Sequence, residues 1–295
     1  MVENKSRERV FNIILNSAMV LFTFMTLLPL LYVLANSFSS SDMVNAGKVW
    51  LIPKEFNLKG YKRIFADKDI IRGYTNTLLY TAIGVVLQVT LQFTAAYPLS
   101  RRDYRFKKPL NLYFIITMFI SGGMIPTYLV VKNLQMLNTM WAMIIPGCVG
   151  VYNIIVIRTY IQSSIPWEFQ EAAMLDGCSN FSLFFKIVFP LSRPILAVMV
   201  LYALVGYWNS YYNSLLYLTK KDLFPLQRVL DKILVSNEAN AGNAGSTSIG
   251  AAEQALMNKT LKYVTIVVSS APLLIIYPFF QKFLEKGMMI GGLKG

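Results

Sequence analysis

Six long apolar segments without any Asp, Glu, Lys or Arg lie along this chain of 295 residues. A helix needs about 20 mostly apolar residues to cross the hydrocarbon core of a bilayer, and each segment has about that length or more. Charged residues make up 15% of the chain, whereas a soluble domain carries about 25%. The sequence therefore predicts an all-α polytopic membrane protein with six transmembrane helices. The predicted spans are about 12–36, 74–100, 110–131, 139–157, 194–218 and 263–280.

The residue types that the chain lacks exclude most enzyme chemistry. It has no histidine, so Ser-His-Asp catalysis, Cys-His catalysis and histidine metal sites are ruled out. Two cysteines, Cys148 and Cys178, are too few for a disulfide framework or a thiolate zinc site. The net charge of +13 could indicate nucleic acid, but the chain is too apolar to form a nucleic-acid-binding surface. We expect no catalytic residue, no metal site and no nucleic-acid partner.

The six segments contain no Asp, Glu, Lys, Arg or His, and their ionisable side chains are those of the tyrosines and Cys148. Carboxylates and lysines inside a membrane mark proton relays and ion-coupling sites, so their absence counts against a proton-coupled transporter. Sodium held by backbone carbonyls keeps an ion-coupled secondary transporter open, and a membrane assembly subunit that transports nothing is a further alternative. The chain also has no Gly-x-x-x-x-Gly-Lys-Ser/Thr loop for ATP. Energy for uphill transport must therefore come through another subunit.

Positive charge in the short loops predicts the orientation. The loop 101–109 holds five positive charges and one negative, whereas 132–138 holds a single lysine. Because short loops rich in Lys and Arg stay in the cytoplasm, 101–109 is predicted to lie inside. The segments 37–73 and 217–262 then lie outside, and their lysines count less because long segments are translocated regardless of charge. The segment 158–193 lies inside.

With six spans, both termini are predicted to be cytoplasmic. The predicted organisation is an N-terminal segment 1–11, a six-span domain 12–284 with an inner loop 163–190, and a cytoplasmic tail 285–295.

Neutral amides and aromatic side chains are the polar residues of the spans. Aromatic rings stack on the apolar face of a sugar, and amides exchange hydrogen bonds with its hydroxyls. These residues therefore predict a path for a neutral hydroxylated substrate. Hydrogen bonds between helices and an aromatic belt at the outer interface are the alternative. The candidates are Asn76, Gln88, Asn153, Tyr207, Trp208, Asn209, Tyr212 and Asn213.

The inner loop 163–190 has the pattern of two short helices joined by a turn. Glu171 lies early in the first helix, where the helix dipole favours negative charge, and Gly177 can end that helix in a left-handed conformation. Ser179 can cap the second helix, which is predicted to end before Pro190. A compact, partly apolar helix pair of this kind suits docking into the groove of a partner.

This loop resembles the EAA loop of ABC importer permeases, in the version of the maltose-type, carbohydrate-importing branch. Cys178 stands where that family usually has alanine, which exchanges one small residue for another. The run from Val205 to Asn213, with its Trp208-Asn209 pair, looks like the subgroup that imports complex oligosaccharides. The residues that carry the loop resemblance are Glu171-Ala172-Ala173-x-x-Asp176-Gly177, then Phe184, Ile187, Pro190-Leu191 and Pro194.

The resemblance implies a type I ABC importer permease fold, with a cytoplasmic coupling helix between spans four and five that sits in a cleft of the ATPase subunit. The end of the chain, Gly287–Gly295, resembles a glycine-rich tail that reaches into the ATPase dimer. The implied coupling residues are Glu171, Ala172, Ala173, Asp176, Gly177 and Phe184, and the implied tail contacts are Gly291, Gly292 and Lys294.

The resemblance also implies the partners. They are a second permease subunit in a heterodimer, an ATPase dimer, an extracellular or periplasmic solute-binding protein, a carbohydrate substrate and the lipid bilayer of a bacterial plasma membrane. No cofactor is expected on this chain, because ATP and Mg belong to the partner ATPase.

Overall fold

A computed structural model describes residues 3–242 and 249–292, with side chains over 8–235 and 259–283. Every regular element in these residues is helical, as predicted. A π-helical turn spans Phe184–Val188 and a 3-10 turn spans Lys221–Leu223. The α-helices are α1 (Glu3–Ser37), α2 (Ser41–Asn45), α3 (Lys59–Ala66), α4 (Lys68–Ser100), α5 (Lys107–Phe119), α6 (Met124–Asn133), α7 (Trp141–Ile144), α8 (Val151–Ser164), α9 (Trp167–Leu175), α10 (Asn180–Leu183), α11 (Phe189–Leu191), α12 (Arg193–Trp208), α13 (Tyr211–Tyr217), α14 (Leu226–Gly242) and α15 (Ile249–Gly292).

Three of the described helices are long and apolar enough to cross a membrane as single helices. They are Glu8–Ser37, Lys68–Ser100 and Lys259–Phe283. These helices contain the predicted spans 12–36, 74–100 and 263–280, and α1, α4 and α15 all continue through their internal prolines.

The other three predicted spans are not continuous helices. The run 110–131 forms α5 and α6, which meet at 112°, and counting this pair and one further bent pair raises the possible spans in the described residues to five. Gly122 and Gly123 lie in the break, and Gly123 has a φ of +85°, which favours glycine over residues with a side chain. A hydropathy run records how apolar a segment is, not where its backbone bends.

Glycine and proline also divide the run 139–157, whose helices α7 and α8 are separated by residues 145–150 with Pro146, Gly147 and Gly150. The run 194–218 is likewise divided, between α12 and α13.

Pro190 does not end the second helix of the inner loop, contrary to the prediction. It lies within α11, directly after the π-helical turn Phe184–Val188, where the Phe189 N–H reaches back to the Phe184 carbonyl. Proline has no N–H to continue an α-helical ladder, and a wider π turn changes the ladder just before it. The chain then bends by 80° between Asn180–Leu191 and Arg193–Trp208.

Contacts divide the chain into two compact units, 1–70 with 230–271 and 71–229 with 272–295. In the first unit, α1 contacts neighbours mainly near its C-terminal end. The Ser37 hydroxyl lies 2.8 Å from the Tyr61 hydroxyl, and the Tyr32 ring packs edge-on against Tyr263. Only 6% of the most apolar stretch of this helix is buried, so its surface is available to lipid or to another subunit.

The second unit has one main apolar core, built from α4, α8, α12 and the segment from α9 to the π-helical turn Phe184–Val188. Four helical segments that are separate in sequence therefore pack as one body. Its buried members are Val89, Phe93, Ala96, Tyr97, Leu99, Ile154, Ile157, Ile161, Ile165, Ala173, Leu183, Phe184, Val188, Ile195 and Met199.

Candidate functional site

The predicted coupling motif lies on α9 and the turn that follows it. The helix begins after Pro166 and ends at Leu175, and Gly177 adopts a φ of +75° in the turn. The Cys178 N–H donates to the Ala173 carbonyl at 2.9 Å, which closes the end of the helix as a left-handed glycine allows. The Ser179 hydroxyl accepts the Ser182 N–H and caps α10, as predicted.

The two faces of α9 differ in exposure. Gln170 and Ala173 are buried, whereas Glu171, Ala172, Asp176 and Gly177 are exposed, and Leu175 is 89% exposed. The exposed face also carries Phe169, so it is an apolar surface with a carboxylate beside it. The Glu171 carboxylate accepts a hydrogen bond from the Trp167 indole N–H at 2.6 Å, which holds it along the helix.

The buried face of the motif belongs to the main core. The Phe184 ring packs on Tyr97 of α4 at a centroid distance of 5.0 Å, and Phe189 packs edge-on against Phe93 at 5.7 Å. Because protein interiors are close-packed and transmit strain, a displacement of α9–α11 must move α4 and α8 as well. Ala173 and Phe184 thus connect this segment to the long helices.

Arg101, directly after α4, ties the same elements together with charge. Its side chain is 8% exposed and makes an ion pair with Asp103 through two N–H groups. One terminal nitrogen also donates to the Tyr97 hydroxyl and to the Asn180 amide oxygen, both at 2.9 Å, and the other contacts Met174 Sδ at 3.4 Å. Arg101 therefore joins the end of α4 to both α9 and α10.

The ion pair also shifts both titrations. The hydrogen bond from Arg101 lowers the pKa of the Asp103 carboxyl, and Asp103 in turn raises the pKa of the Arg101 guanidinium. The sequence shows Arg101 only as one charge of a basic loop. Its partner Asn180 lies 79 residues away, so the pattern of the chain gives no sign of the contact.

Neutral hydrogen bonds hold the other end of α4. The Asn76 amide donates to the carbonyls of Asp222 and Phe224 at 2.7 and 3.1 Å. The Tyr80 hydroxyl donates to the Leu223 carbonyl at 2.9 Å. The Thr77 hydroxyl accepts a hydrogen bond from the Leu226 N–H at 2.8 Å. Asn76, predicted for a substrate path, thus fixes the backbone of the segment before α14.

Some of the other predicted path residues lie along one face of α4. The Tyr207 ring covers Gly84 so closely that a Cβ there would lie 2.5 Å from the ring, and its hydroxyl donates to the Ile144 carbonyl. Gln88 is buried one turn further on, and Gln92 follows after another turn.

The amides of Gln92 and Asn153 both lie beside Gly150, within 3.4 Å of where its Cβ would be. Gln92, which was not predicted, is fully buried, and its amide has no hydrogen-bond partner within the described residues.

The remaining path candidates have other surroundings. Trp208 is buried and packs edge-on against Tyr74, whereas Asn209 is exposed and its amide donates to the Val205 carbonyl of its own helix. Tyr212 is exposed with its hydroxyl on Met124 Sδ, and Asn213 is half-buried. Of the tail residues, Gly291 and Gly292 end α15, and Lys294 lies outside the described residues.

These features define a class of protein, a helical membrane subunit with several spans. In this class the loop 163–190 shares a core with long helices. The profile of the family described as binding-protein-dependent transport system inner membrane component matches residues 1–290, and the chain belongs to this family. It is a permease subunit of an ABC transporter and a multi-pass protein of the plasma membrane. In such transporters the ATPase is a separate subunit, so the chain itself is not an enzyme.

Relatives support the same assignment over the whole length. Protein LplC of Bacillus subtilis (strain 168) is 38% identical over 270 residues, covering 92% of this chain and 90% of that protein. The polygalacturonan/rhamnogalacturonan transport system permease protein YtcP of the same strain is 36% identical over 289 residues, covering 98% and 100%. A chain in the crystal structure of a bacterial ABC transporter involved in the import of the acidic polysaccharide alginate superposes with a TM-score of 0.83 at 30% identity, covering 94% of this chain and 97% of that one.

Proposed function

We propose that this chain is one of two permease subunits of an ATP-driven, binding-protein-dependent importer of oligosaccharides, and that α9 is its coupling helix. The proposal rests on the observation that some residues of the motif are buried in the core while others are exposed on the surface. Ala173 and Phe184 are buried in the core with the long helices, whereas Glu171 and Ala172 face outward. A segment that connects one partner to the membrane helices needs both faces.

The mechanism is that of a lever. ATP and Mg bind to the partner ATPase dimer, whose closure pushes on the exposed face of α9. The shared core and Arg101 pass this displacement to α4 and α8, and the helices move between inward-facing and outward-facing states. Coupling requires that both ATP and the loaded binding protein favour one of the two states.

The proposed orientation follows from the positive charge of 101–109. This loop and α9 lie in the cytoplasm with both termini, and Gly291, Gly292 and Lys294 of the tail contact the ATPase. The solute-binding protein delivers the sugar to the outer segments 37–73 and 217–262. The family to which the chain belongs is described as binding-protein-dependent, which supports such a partner.

The substrate class rests on the relatives and on the neutral polar face of α4. Relatives are named for polygalacturonan/rhamnogalacturonan and arabinooligosaccharide transport, and one structural relative for alginate. Gln88 and Asn153, with Tyr207 nearby, are the side chains that we propose to face the sugar when the path opens. A panel of oligosaccharides in a binding-protein-dependent uptake assay identifies the substrate.

A pair of charge reversals on α9 tests the coupling role. Glu171→Lys alters the motif, and Glu168→Lys alters an equally exposed acid in the first turn of the same helix. We expect Glu171→Lys to weaken retention of the ATPase and ATP-dependent uptake at least about tenfold, since loss of a charged contact at an interface typically costs about 2 kcal/mol or more. Glu168→Lys should change both less than twofold.

The readouts are co-purification of the ATPase and uptake into proteoliposomes that contain the complete importer. Unchanged docking and uptake in Glu171→Lys would contradict the assignment of α9. Sugar uptake by this chain without any ATPase subunit would contradict the proposed function as a whole.

A further inference from the structure

A polar cavity lies behind α9, on the side away from the exposed face. It has a volume of about 240 Å³ and is enclosed by the end of α4, the start of α5, the end of α8 and the start of α9. Arg102, Lys107, Gln162 and Gln170 line it with polar groups, and the Trp167 ring forms part of its wall. The predicted function assigns no role to this cavity.

The cavity concentrates positive charge that no carboxylate neutralises. Arg102 and Lys107 both line it. The ion pairs among the described residues are Arg72–Asp222 and Arg101–Asp103, and they include neither of these two cations. Lys107 uses one N–H on the Arg101 carbonyl, which leaves two of its three donors for a ligand.

One buried polar atom of the lining has no hydrogen-bond partner within the described residues. Gln170 is 3% exposed, and its Oε1 lacks a donor. A buried polar group without a partner is costly, so this atom indicates a ligand with a complementary donor. The cations of Arg102 and Lys107 on the same lining favour an anion.

We propose that the cavity binds a glycerophosphate group, supplied by the headgroup of phosphatidylglycerol. The phosphate lies against Arg102 and Lys107, and a glycerol hydroxyl donates to the Gln170 oxygen. An acidic side chain of a partner offers only acceptors and leaves the Gln170 oxygen unpaired.

The place of the cavity favours a lipid over a soluble anion. It lies where α4 ends and α5 begins, the ends of two predicted spans, which is the depth of lipid headgroups. Basic pockets between membrane helices on the cytoplasmic side are suited to anionic headgroups. A bound headgroup would contact α9 and the ends of α4, α5 and α8 at the same time. Anionic lipid would therefore restrict the movement of α9 relative to these helices.

The test uses the complete importer in nanodiscs of phosphatidylcholine with rising fractions of phosphatidylglycerol. Lipid retained by the purified complex is counted by native mass spectrometry. We expect Arg102→Gln to raise the half-saturating fraction about fivefold and Arg102→Gln with Lys107→Gln about 25-fold, as expected for about fivefold per basic residue. The control Lys108→Gln removes an adjacent exposed charge that does not line the cavity and should change it less than twofold.

Two further arms distinguish the ligand chemistry and its source. Phosphatidylmethanol has the same charge but no headgroup hydroxyl, and we expect it to bind about fivefold more weakly than phosphatidylglycerol, which equals the loss of one hydrogen bond of about 1 kcal/mol. Soluble glycerol phosphate at millimolar concentration should not displace the lipid. Full displacement would overturn the lipid as the source.

Equal lipid retention by the wild type, Arg102→Gln with Lys107→Gln, and Lys108→Gln would overturn the site. A loss of ATPase retention in the double variant that is the same with and without phosphatidylglycerol would also overturn it, because a partner side chain would then be the occupant. Lipid retention does not depend on sugar transport, so this result stands apart from the test of the proposed function.

Discussion

The two ends of α4 are held in place by different chemistry. At the N-terminal end, Asn76, Thr77 and Tyr80 make neutral hydrogen bonds to the backbone of residues 222–226. At the C-terminal end, Arg101 makes charged contacts to side chains, including Asn180 at the start of α10. The N-terminal end of α4 thus bonds to backbone atoms, whereas the C-terminal end bonds to side chains.

This difference teaches which end suits motion. Backbone carbonyls accept from fixed directions, so several bonds along one short segment define a single arrangement. A guanidinium has five donors, so Arg101 has donors left for other acceptors while it stays paired with Asp103. We infer that the N-terminal end of α4 is a fixed clamp and that the Arg101 end is the joint through which the coupling segment moves.

The largest predicted effect is at the joint. Arg101→Leu removes the charged contacts to Asp103, Tyr97 and Asn180, and we expect it to lower the free energy of unfolding by about 3 kcal/mol because a buried charged network is broken. ATP-dependent uptake should fall together with the stability. Arg101→Lys should keep only part of the stability and of the uptake, because a lysine ammonium lacks the planar, two-pronged donor geometry of a guanidinium. Thermal unfolding and uptake by the purified importer measure both.

The control for this change is Arg105→Leu, an exposed arginine of the same basic loop. It removes the same charge, so equal losses in the two variants would mean that loop charge, rather than the joint, stabilises the subunit.

The next effect is at the middle of α4, between clamp and joint. Gly84→Ala places a Cβ 2.5 Å from the Tyr207 ring, which is itself held by its hydrogen bond to Ile144. We expect a loss of about 2 kcal/mol from overpacking, larger than the gain of about 1 kcal/mol that alanine brings to a helix. Gly206→Ala is the matched control, because no atom lies within 4 Å of its Cβ position. A stable Gly84→Ala would mean that α12 separates easily from α4.

Charge-free runs predict that helices exist but not where they break. The runs 12–36, 74–100 and 263–280 lie within continuous helices, although each run contains at least one proline. The run 110–131 reads the same by hydropathy, yet Gly123 at a φ of +85° divides it. Conformations of single glycines depend on tertiary packing, which a local pattern does not contain.

The motif loop was the most predictable part of the site. Gly177 and Ser179 have strong local preferences, and the structure confirms both the left-handed turn and the cap. The joint at Arg101 and the buried amide of Gln170 were not predictable, because their roles depend on residues that are distant in sequence. Asn76 shows the same limit, since an amide in an apolar run is compatible with a substrate or with a backbone carbonyl.

A smaller effect is expected at the clamp. Asn76→Ala removes two hydrogen bonds to backbone carbonyls, and we expect a loss of about 1–2 kcal/mol in the free energy of unfolding with an unchanged KM for the sugar. Thr75→Val, one residue earlier and exposed, should change neither because its hydroxyl bonds only within its own helix. Thermal unfolding and uptake kinetics separate the two roles: a raised KM without loss of stability would place Asn76 in the substrate path and remove it from the clamp.

The smallest effect concerns pH at the joint. The hydrogen bond from Arg101 lowers the pKa of Asp103, so the ionised carboxylate stabilises the folded state above the unfolded pKa of about 3.9, and this contribution is lost as the pH falls through the lower folded value. Asp103→Asn should therefore melt below the wild type by a constant small margin from pH 5 to 8, and the margin should shrink as the pH falls below the unfolded pKa of about 3.9. Because Asp103 is half exposed, high salt should shrink the same margin at pH 7. A margin that stays constant on acidification would mean that Asp103 contributes through packing and that the joint does not depend on its charge.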